Sequence, residues 1–375
     1  MPELYIGLMS GTSLDGVDGV LADFSSSPMQ VLAHVALPFD DDLKTELLAL
    51  NTPGADELHR AALAANALVR VYARAVTQLL EQSGVSAKQV RAIGAHGQTV
   101  RHRPQEFDGT GYTLQLNSPA LLAELTRIDV VADFRSRDVA AGGQGAPLTP
   151  LFHAGVFATP GFDAFVLNLG GISNLSVLVQ DGGIVGFDCG PGNSLMDHWC
   201  QQHTGKPYDA EGTWAASGTV NAQLLADLLD VPYFALPAPK STGRDLFNPV
   251  WLAHKLTPFA RLAPVDVQAT LAEFTASTCA TSVKEYAGAA GSASAAGALI
   301  VCGGGAFNTH LLARLQALLP GFSVDSSLAH GLAPLEVEAA AFAWLARQCV
   351  RGDAAGRSSV TGAKGARVLG ALYPR

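Results

Sequence analysis

The sequence predicts an α/β protein of two lobes with a ligand cleft between them. Three observations carry that prediction. An apolar strand runs into a glycine-rich turn and out into a second strand within residues 4–24. The same order of strand, glycine turn and strand restarts at residues 164–187, about half a chain later. The third is bulk: 375 residues, 48% hydrophobic and only 15% charged, suffice for about two packed domains with little disorder.

The elements follow in order. Leu4 to Met9 reads as a strand, Ser10 to Gly16 as a turn rich in Gly, Ser, Thr and Asp, and Val17 to Phe24 as the returning strand. Ala55 to Gln82 has helical spacing, with Leu58, Ala62, Ala65, Val69 and Tyr72 on one face. Val90 to Ala95, Tyr112 to Leu116 and Asp129 to Ala132 read as strands, with a helix at Pro119 to Thr126. The restart comprises the strand Ala164 to Leu169, the turn Gly170 to Asn174, and the strands Leu175 to Val179 and Gly183 to Phe187. A helix at Ser194 to Gln202 follows, capped by Asn193 or Ser194. The strand Leu299 to Cys302 opens a third glycine turn, Gly303 to Asn308, and a helix at His310 to Leu319. Pro334 to Cys349 reads as a helix, Gly352 to Gly365 as a polar linker, and Arg367 to Tyr373 as a closing strand. The expected division is an N-terminal lobe at 1–133 and a C-terminal lobe at 134–375, with the 360–375 tail returning toward the hinge.

Composition removes several function classes. A net charge of −9 disfavours a nucleic-acid partner, though backbone N–H groups can hold phosphate within an acidic protein. The longest uncharged run, Tyr286 to His310, is broken by glycines and suits a linker, a strand and a turn rather than a membrane span. No leader is visible at Met1-Pro2-Glu3-Leu4, and the five cysteines form no CxxC pair, so reduced thiols in a cytoplasmic protein are expected. No P-loop pattern occurs, the Rossmann pattern at Gly303-x-Gly305 ends on Asn308, and neither a GxSxG elbow nor HExxH is present. His96, His102, His198 and His203 lack metal-ligand spacing and read as surface or core histidines.

The glycine turns carry the functional prediction. Phosphate needs several N–H donors aimed at one point and room for the backbone to approach, which Gly, Ser and Thr supply. Singly, each turn also fits an ordinary hairpin; three of them directly after apolar strands point to nucleotide phosphates. Asp188 opens Cys189-Gly190-Pro191-Gly192-Asn193 at the end of a strand, where α/β sheets bind ligands. There it serves equally as a turn-capping residue or as a general base. Asp15 and Asp18 border the first turn and are candidates for Mg²⁺, largely through waters. A turn-forming role serves Asp15 as well, so Asp18 is the metal candidate. Arg135 lies in a charge run, Asp133 to Asp138, before the loop Gly142 to Pro147. A guanidinium fork beside a glycine loop suits a substrate carboxylate, although a solvated charge run is the commoner arrangement. Glu336 and Glu338 read only as acidic residues in a first helical turn.

Taken together, IGLMSGTSLDGVD (6–18), GAHGQTV (94–100), VVADFRSRDVAAGGQGAPL (130–148), NLGGISNL (168–175), GFDCGPGNSLMD (186–197), CGGGAFN (302–308) and VEAAAFAWLA (337–346) resemble the anhydro-N-acetylmuramic acid kinase family. That family lies within the actin-like ATPase and sugar-kinase superfamily. Asn168 stands where many superfamily members carry Asp, in agreement with this family. The resemblance implies an actin-like ATPase fold. It also implies hydrolytic opening of the 1,6-anhydro bridge with ATP-dependent phosphorylation of the freed 6-oxygen, giving N-acetylmuramic acid 6-phosphate in peptidoglycan recycling. It implies ATP and Mg²⁺ as cofactors, the sugar as partner and a homodimer. By the same resemblance, Gly11, Thr12, Ser13, Leu14, Asp15, Gly16, Val17 and Asp18 line the ATP phosphates. Gly170, Gly171, Gly303, Gly304, Gly305 and Asn308 complete the nucleotide site. Asp188 is the base that activates water, Arg135 meets the lactyl carboxylate, and Glu338 helps hold the sugar. Two readings share the fold: an ordinary hexose or amino-sugar kinase, and a non-enzymatic ATP-driven switch. The Arg135 segment disfavours the first, and the compact Gly142–Pro147 loop the second.

Overall fold

The computed structural model describes residues 2–11, 13–158, 163–179, 182–243, 246–289 and 297–375. Thr12 and most of the Ala287–Gly297 stretch lie outside the described residues. The chain forms two compact units: Met1–Val156 together with Leu335–Arg375, and Phe157–Pro334.

The first unit opens with an antiparallel meander of β1 (Leu4–Met9), β2 (Gly16–Asp23) and β3 (Gln30–Pro38). Helices α1 (Asp41–Ala49) and α2 (Glu57–Ser83) follow. The Asp40 side chain caps α1 by accepting from Leu43 N–H at 2.8 Å. β4 (Val90–Ala95) lies parallel beside β1, and β5 (Gln98–Pro104) and β6 (Gly111–Leu116) make a separate hairpin. Then come α3 (Pro119–Thr126), β7 (Val130–Ala132) parallel to β4, α4 (Ser136–Ala140) and α5 (Pro150–Phe157).

The second unit repeats the scheme. β8 (Ala164–Leu169), β9 (Ile172–Leu178) and β10 (Ile184–Pro191) form a meander. A helical stretch holds α6 (Ser194–Thr204), α7 (Thr213–Ala216), α8 (Ala222–Leu229), α9 (Pro249–Leu256) and α10 (Pro264–Ala289). β11 (Gly297–Cys302) lies parallel beside β8; α11 (Thr309–Leu318) leads to β12 (Phe322–Ser326), parallel to β11. The chain then returns to the first unit with α12 (Glu336–Arg351), α13 (Ser358–Thr361) and β13 (Ala371–Tyr373), which pairs antiparallel with β7.

Strand orders are β3-β2-β1-β4-β7-β13 and β10-β9-β8-β11-β12. Each begins with a three-strand meander and continues with two strands parallel to its first, so the repeat seen at residues 4–24 and 164–187 extends to whole sheets. In the first sheet the faces alternate as strand geometry requires. Leu4, Ile6 and Leu8 join the core formed with Leu68, Tyr72 and Leu79 of α2, while Tyr5 joins Phe342, Ala343 and Ala346 of α12.

Several expected features differ. The lobe boundary at 133/134 is displaced: the first unit runs on to Val156 and takes back Leu335–Arg375, because α12 covers its sheet and β13 extends it. The Gly352–Gly365 stretch holds a helical turn, α13, with Val360 and Thr361 buried. Only Ala371–Tyr373 of the closing segment is strand. The uncharged run from Tyr286 starts inside α10 rather than in a linker. No helix among the described residues is long and apolar enough to cross a membrane.

Candidate active site

The first glycine turn rests on buried polar groups of its own unit. Ser10 is 1% exposed, and its Oγ donates to the Gly97 carbonyl at 3.0 Å. The Tyr72 hydroxyl accepts from Gly97 N–H at 3.1 Å, which leaves its own proton for Ser10 Oγ, 3.0 Å away. Gln98 Nε2 donates to Gly11 O at 3.1 Å. Leu14 turns the chain with a left-handed φ of 59° and donates its N–H to Gly11 O at 3.3 Å. The Leu14 and Val17 side chains belong to the hydrophobic core, so only their main chain is open to a phosphate. Ser13 and Asp15 are exposed, and Asp15 has a loose 3.9 Å ion pair with Lys44. At Gly16 a side chain would strike the Leu37 carbonyl of β3, so glycine is needed where β2 begins.

Asp18 lies within β2, opposite Met9, and not in the turn itself. Its Oδ1 is 3.3 Å from His34 Nε2, with 40% of its side chain exposed. That hydrogen bond, with the charges of Asp18 and Glu336, raises the pKa of His34 against the opposing effect of burial. No group of three His, Cys, Asp or Glu residues converges on a metal position among the described residues. A single accessible carboxylate fits Mg²⁺, which keeps most of its waters and takes further oxygens from phosphate.

Arg135 follows Asp133, which adopts φ 58°. Its Nη1 donates to Gly145 O at 2.8 Å; Nε and Nη2 reach His96 Nε2 at 3.2 and 2.9 Å. His96 is 3% exposed, and burial together with the guanidinium charge holds its pKa well below the usual range. The ring is therefore neutral, with the Nε2 lone pair facing Arg135. These two acceptors, a carbonyl and a neutral ring, are uncharged and fix the plane of the guanidinium. The run Asp133–Asp138 is solvated only in part: Asp133 and Arg137 are exposed, Arg135 is half-buried, and Asp138, 1% exposed, accepts from Gly145 N–H at 2.8 Å.

Glu338 sits half-buried in the first turn of α12. That helix approaches its sheet unusually closely. Gly7 of β1 and Gly94 of β4 are register partners, and a side chain at either would strike the α12 backbone, at the carbonyls of Ala339 and Phe342. Ala339, Ala340, Ala343 and Ala346 are fully buried, as that approach requires.

In the second unit Asp188 lies inside β10, where Cys189 is bulged out of the pairing with β9, rather than after the strand's end. β10 is an edge strand of its sheet, and the segment Tyr233–Thr242 covers that edge at Asp188. Asp188 N–H donates to Lys240 O at 3.1 Å, Asp188 O accepts from the Tyr233 hydroxyl at 2.8 Å, and Oδ2 accepts from Thr242 N–H at 2.9 Å. Lys240 Nζ lies over the Phe187 and Tyr233 rings, 5.8 and 5.1 Å from their centroids, and pegs the segment down. The backbone and one carboxylate oxygen of Asp188 are thus all held by one segment.

The two other glycine turns come together in this unit. Asn193 Nδ2 donates to Leu169 O at 2.9 Å, and Asn193 N–H donates to Gly170 O at 2.8 Å. Asn193 does stand at the N-cap of α6, as expected, but it makes no side-chain capping bond there. A side chain at Gly305 would meet Leu169 and Asn193, and one at Gly303 would meet Asn168, so the third turn packs directly on the second. Asn308 instead spends its Oδ1 on Leu311 N–H at 3.0 Å, capping α11. Sequence reasoning missed Tyr233, Lys240 and Thr242, and it left His96 among ordinary histidines. The signal for His96 was its place in His96-Gly97-Gln98, directly after a buried strand.

The family model described as "Anhydro-N-acetylmuramic acid kinase" matches residues 3–375. A protein of that name from Albidiferax ferrireducens is 64% identical over 394 residues, covering 100% of both chains. One from Variovorax paradoxus is 63% identical over 377 residues, covering 99% of each. Among solved structures, a ROK family glucokinase from Streptomyces griseus in complex with glucose and AMPPNP aligns at 16% identity and a TM-score of 0.42, covering 92% of this chain and 99% of that one. The chain belongs to the anhydro-N-acetylmuramic acid kinase family.

Proposed function

We propose that this protein opens 1,6-anhydro-N-acetylmuramic acid with water and phosphorylates the freed 6-oxygen from ATP, in peptidoglycan recycling. The observation that carries the reading is 64% identity across the full length to a protein bearing that activity in its name.

The site chemistry supports it. Asp188, held at three points, takes the proton of a water as its oxygen bonds to the anomeric carbon. The bond from that carbon to the bridging oxygen breaks, and the bridging oxygen bonds to the γ-phosphorus as ADP leaves. Gly11 to Asp18, with Gly170, Gly171 and Gly303 to Gly305, hold the nucleotide, chiefly through main-chain N–H groups. Asp18 would hold Mg²⁺, which when bound would neutralise phosphate charge. Arg135 pairs with the lactyl carboxylate, and Glu338 holds the sugar. Asn308 acts on the nucleotide only indirectly, by fixing the start of α11. The protein works in the cytoplasm as a homodimer. The reduced state of all five cysteines supports that compartment, and the family resemblance supports the dimer.

The test is turnover with Mg-ATP in ¹⁸O water. Label is expected at the anomeric oxygen of N-acetylmuramic acid 6-phosphate. Label absent there overturns water attack, and consumption of open-ring sugars alone points to an ordinary amino-sugar kinase.

A further inference from the structure

Arg135 is held by the loop Gly142–Pro147, and that loop is held by the C-terminal segment. Arg135 Nη1 donates to Gly145 O at 2.8 Å. Gly145 N–H donates to Asp138 Oδ2 at 2.8 Å, and the other oxygen, Oδ1, accepts from Thr361 Oγ1 at 2.7 Å. Beside these bonds, Gln144 N–H donates to Thr361 O at 2.7 Å and Lys364 N–H donates to Ala141 O at 2.8 Å. Asp138 and Thr361 are each 1% exposed. Gly143 packs so closely on Asp138 that a side chain there would strike the carboxylate.

A carboxylate so buried needs each oxygen bonded, because an unmet charge in low dielectric is costly. Both partners that meet it here are specific: one belongs to the loop that positions Arg135, the other to a helical turn 223 residues away in sequence. Remove the Thr361 hydroxyl and Asp138 must turn toward other donors. Its other oxygen is bonded to Gly145 N–H, so a turn of the carboxylate disturbs the residue whose carbonyl aims Arg135.

We propose that Thr361, acting through Asp138 and Gly145, is a positioning residue for recognition of the substrate's carboxylate. Thr361 does not touch the sugar; it fixes the fork that does. The inference rests on the reading of Arg135 as the carboxylate-binding residue.

The experiment measures affinity of the full-length protein for two sugars by titration calorimetry. One is 1,6-anhydro-N-acetylmuramic acid; the other is 1,6-anhydro-N-acetylglucosamine, the same sugar without its lactyl ether. Thr361→Val is expected to weaken binding of the first on the order of tenfold, the worth of one charge-assisted hydrogen bond, and to leave the second unchanged. The loss should fall on KM for the sugar, with kcat and KM for ATP little altered. Thr361→Ser, which keeps the hydroxyl, should restore the preference. Because the preference is a ratio within one preparation, loss of folded protein cancels, and Thr361→Ala repeats the test with a smaller side chain. Equal weakening of both sugars, or no change in the ratio while Arg135→Ala abolishes it, overturns the inference. An unchanged ratio in Arg135→Ala overturns the reading of Arg135 instead.

Discussion

Asp188 is held by one short segment in addition to the strand it sits in. A carboxylate that must face a water and then hold a proton gains from fixed geometry, since a small misplacement of a base costs rate steeply. Asp188→Asn is therefore expected to abolish turnover while ATP still binds, and calorimetry with a non-hydrolysable analogue checks the second half. Tyr233→Phe removes only the hydroxyl that reaches Asp188 O at 2.8 Å. We expect kcat to fall on the order of tenfold with KM for ATP unchanged, the worth of one hydrogen bond placed on the proposed base's own backbone. An unaltered kcat would show that the segment merely covers the strand edge. Little of this residue-level detail could be read in advance. Asp188 was visible because it opens a glycine-rich exit after an apolar run. Tyr233 and Thr242 were not, because they act through a hydroxyl and a main-chain N–H, neither of which leaves a mark on sequence spacing.

Among the elements, the legible ones were those whose ends carry chemistry. The β1–β2 and β8–β9 turns stand out because glycine and serine, with aspartate in the first and asparagine in the second, interrupt two apolar runs. α10 stayed hidden for a physical reason. It is buried on most of its surface yet carries Gln268, Thr270, Glu273, Thr275, Thr278 and Ser282 as buried polar residues, so no apolar stripe repeats at helical spacing. β3 was missed because as an edge strand it is mostly half-exposed and its alternation is weak. α12 was read as a helix, but the purpose of its alanines required Gly7 and Gly94 to be seen beneath them. Gly94→Ala sets a methyl group against the Phe342 carbonyl, which neither backbone can easily yield. A loss of about 1–3 kcal/mol is expected, read as a lower urea midpoint at unchanged m value. Glu338, the proposed sugar contact, rides on the same helix, so KM for the sugar should rise with it.

For the molecule as a whole, buried histidines set the response to acid. Burial lowers the pKa of His102 to about 4, helped by Arg135, and that of His153 to about 3; His96 is lowered as well. Above pH 6.5 these rings are neutral whether the chain is folded or not, so they contribute no pH dependence. Below it the unfolded chain takes up protons that the folded chain refuses. Stability should therefore fall as pH drops from about 6.5 toward 4, by about 1.4 kcal/mol per pH unit for each histidine well inside that window. Urea midpoints at pH 7.5, 6 and 5 check this, and a flat profile would mean that the rings accept protons in place.

The doubled strand order has a companion fact in how the chain is threaded. Five strands of the first sheet are made early in synthesis, but its sixth, β13, and α12, which covers its second face, come only after all of Phe157–Pro334. At about 5–20 residues per second, that face waits roughly ten to forty seconds on a ribosome before its cover exists. Tyr5, Ala22, Ala92 and Val131 are bare during that time. Nascent chains should thus lean on holdase chaperones in proportion to elongation time, and a fragment ending at Pro334 should precipitate unless residues 335–375 are supplied in trans.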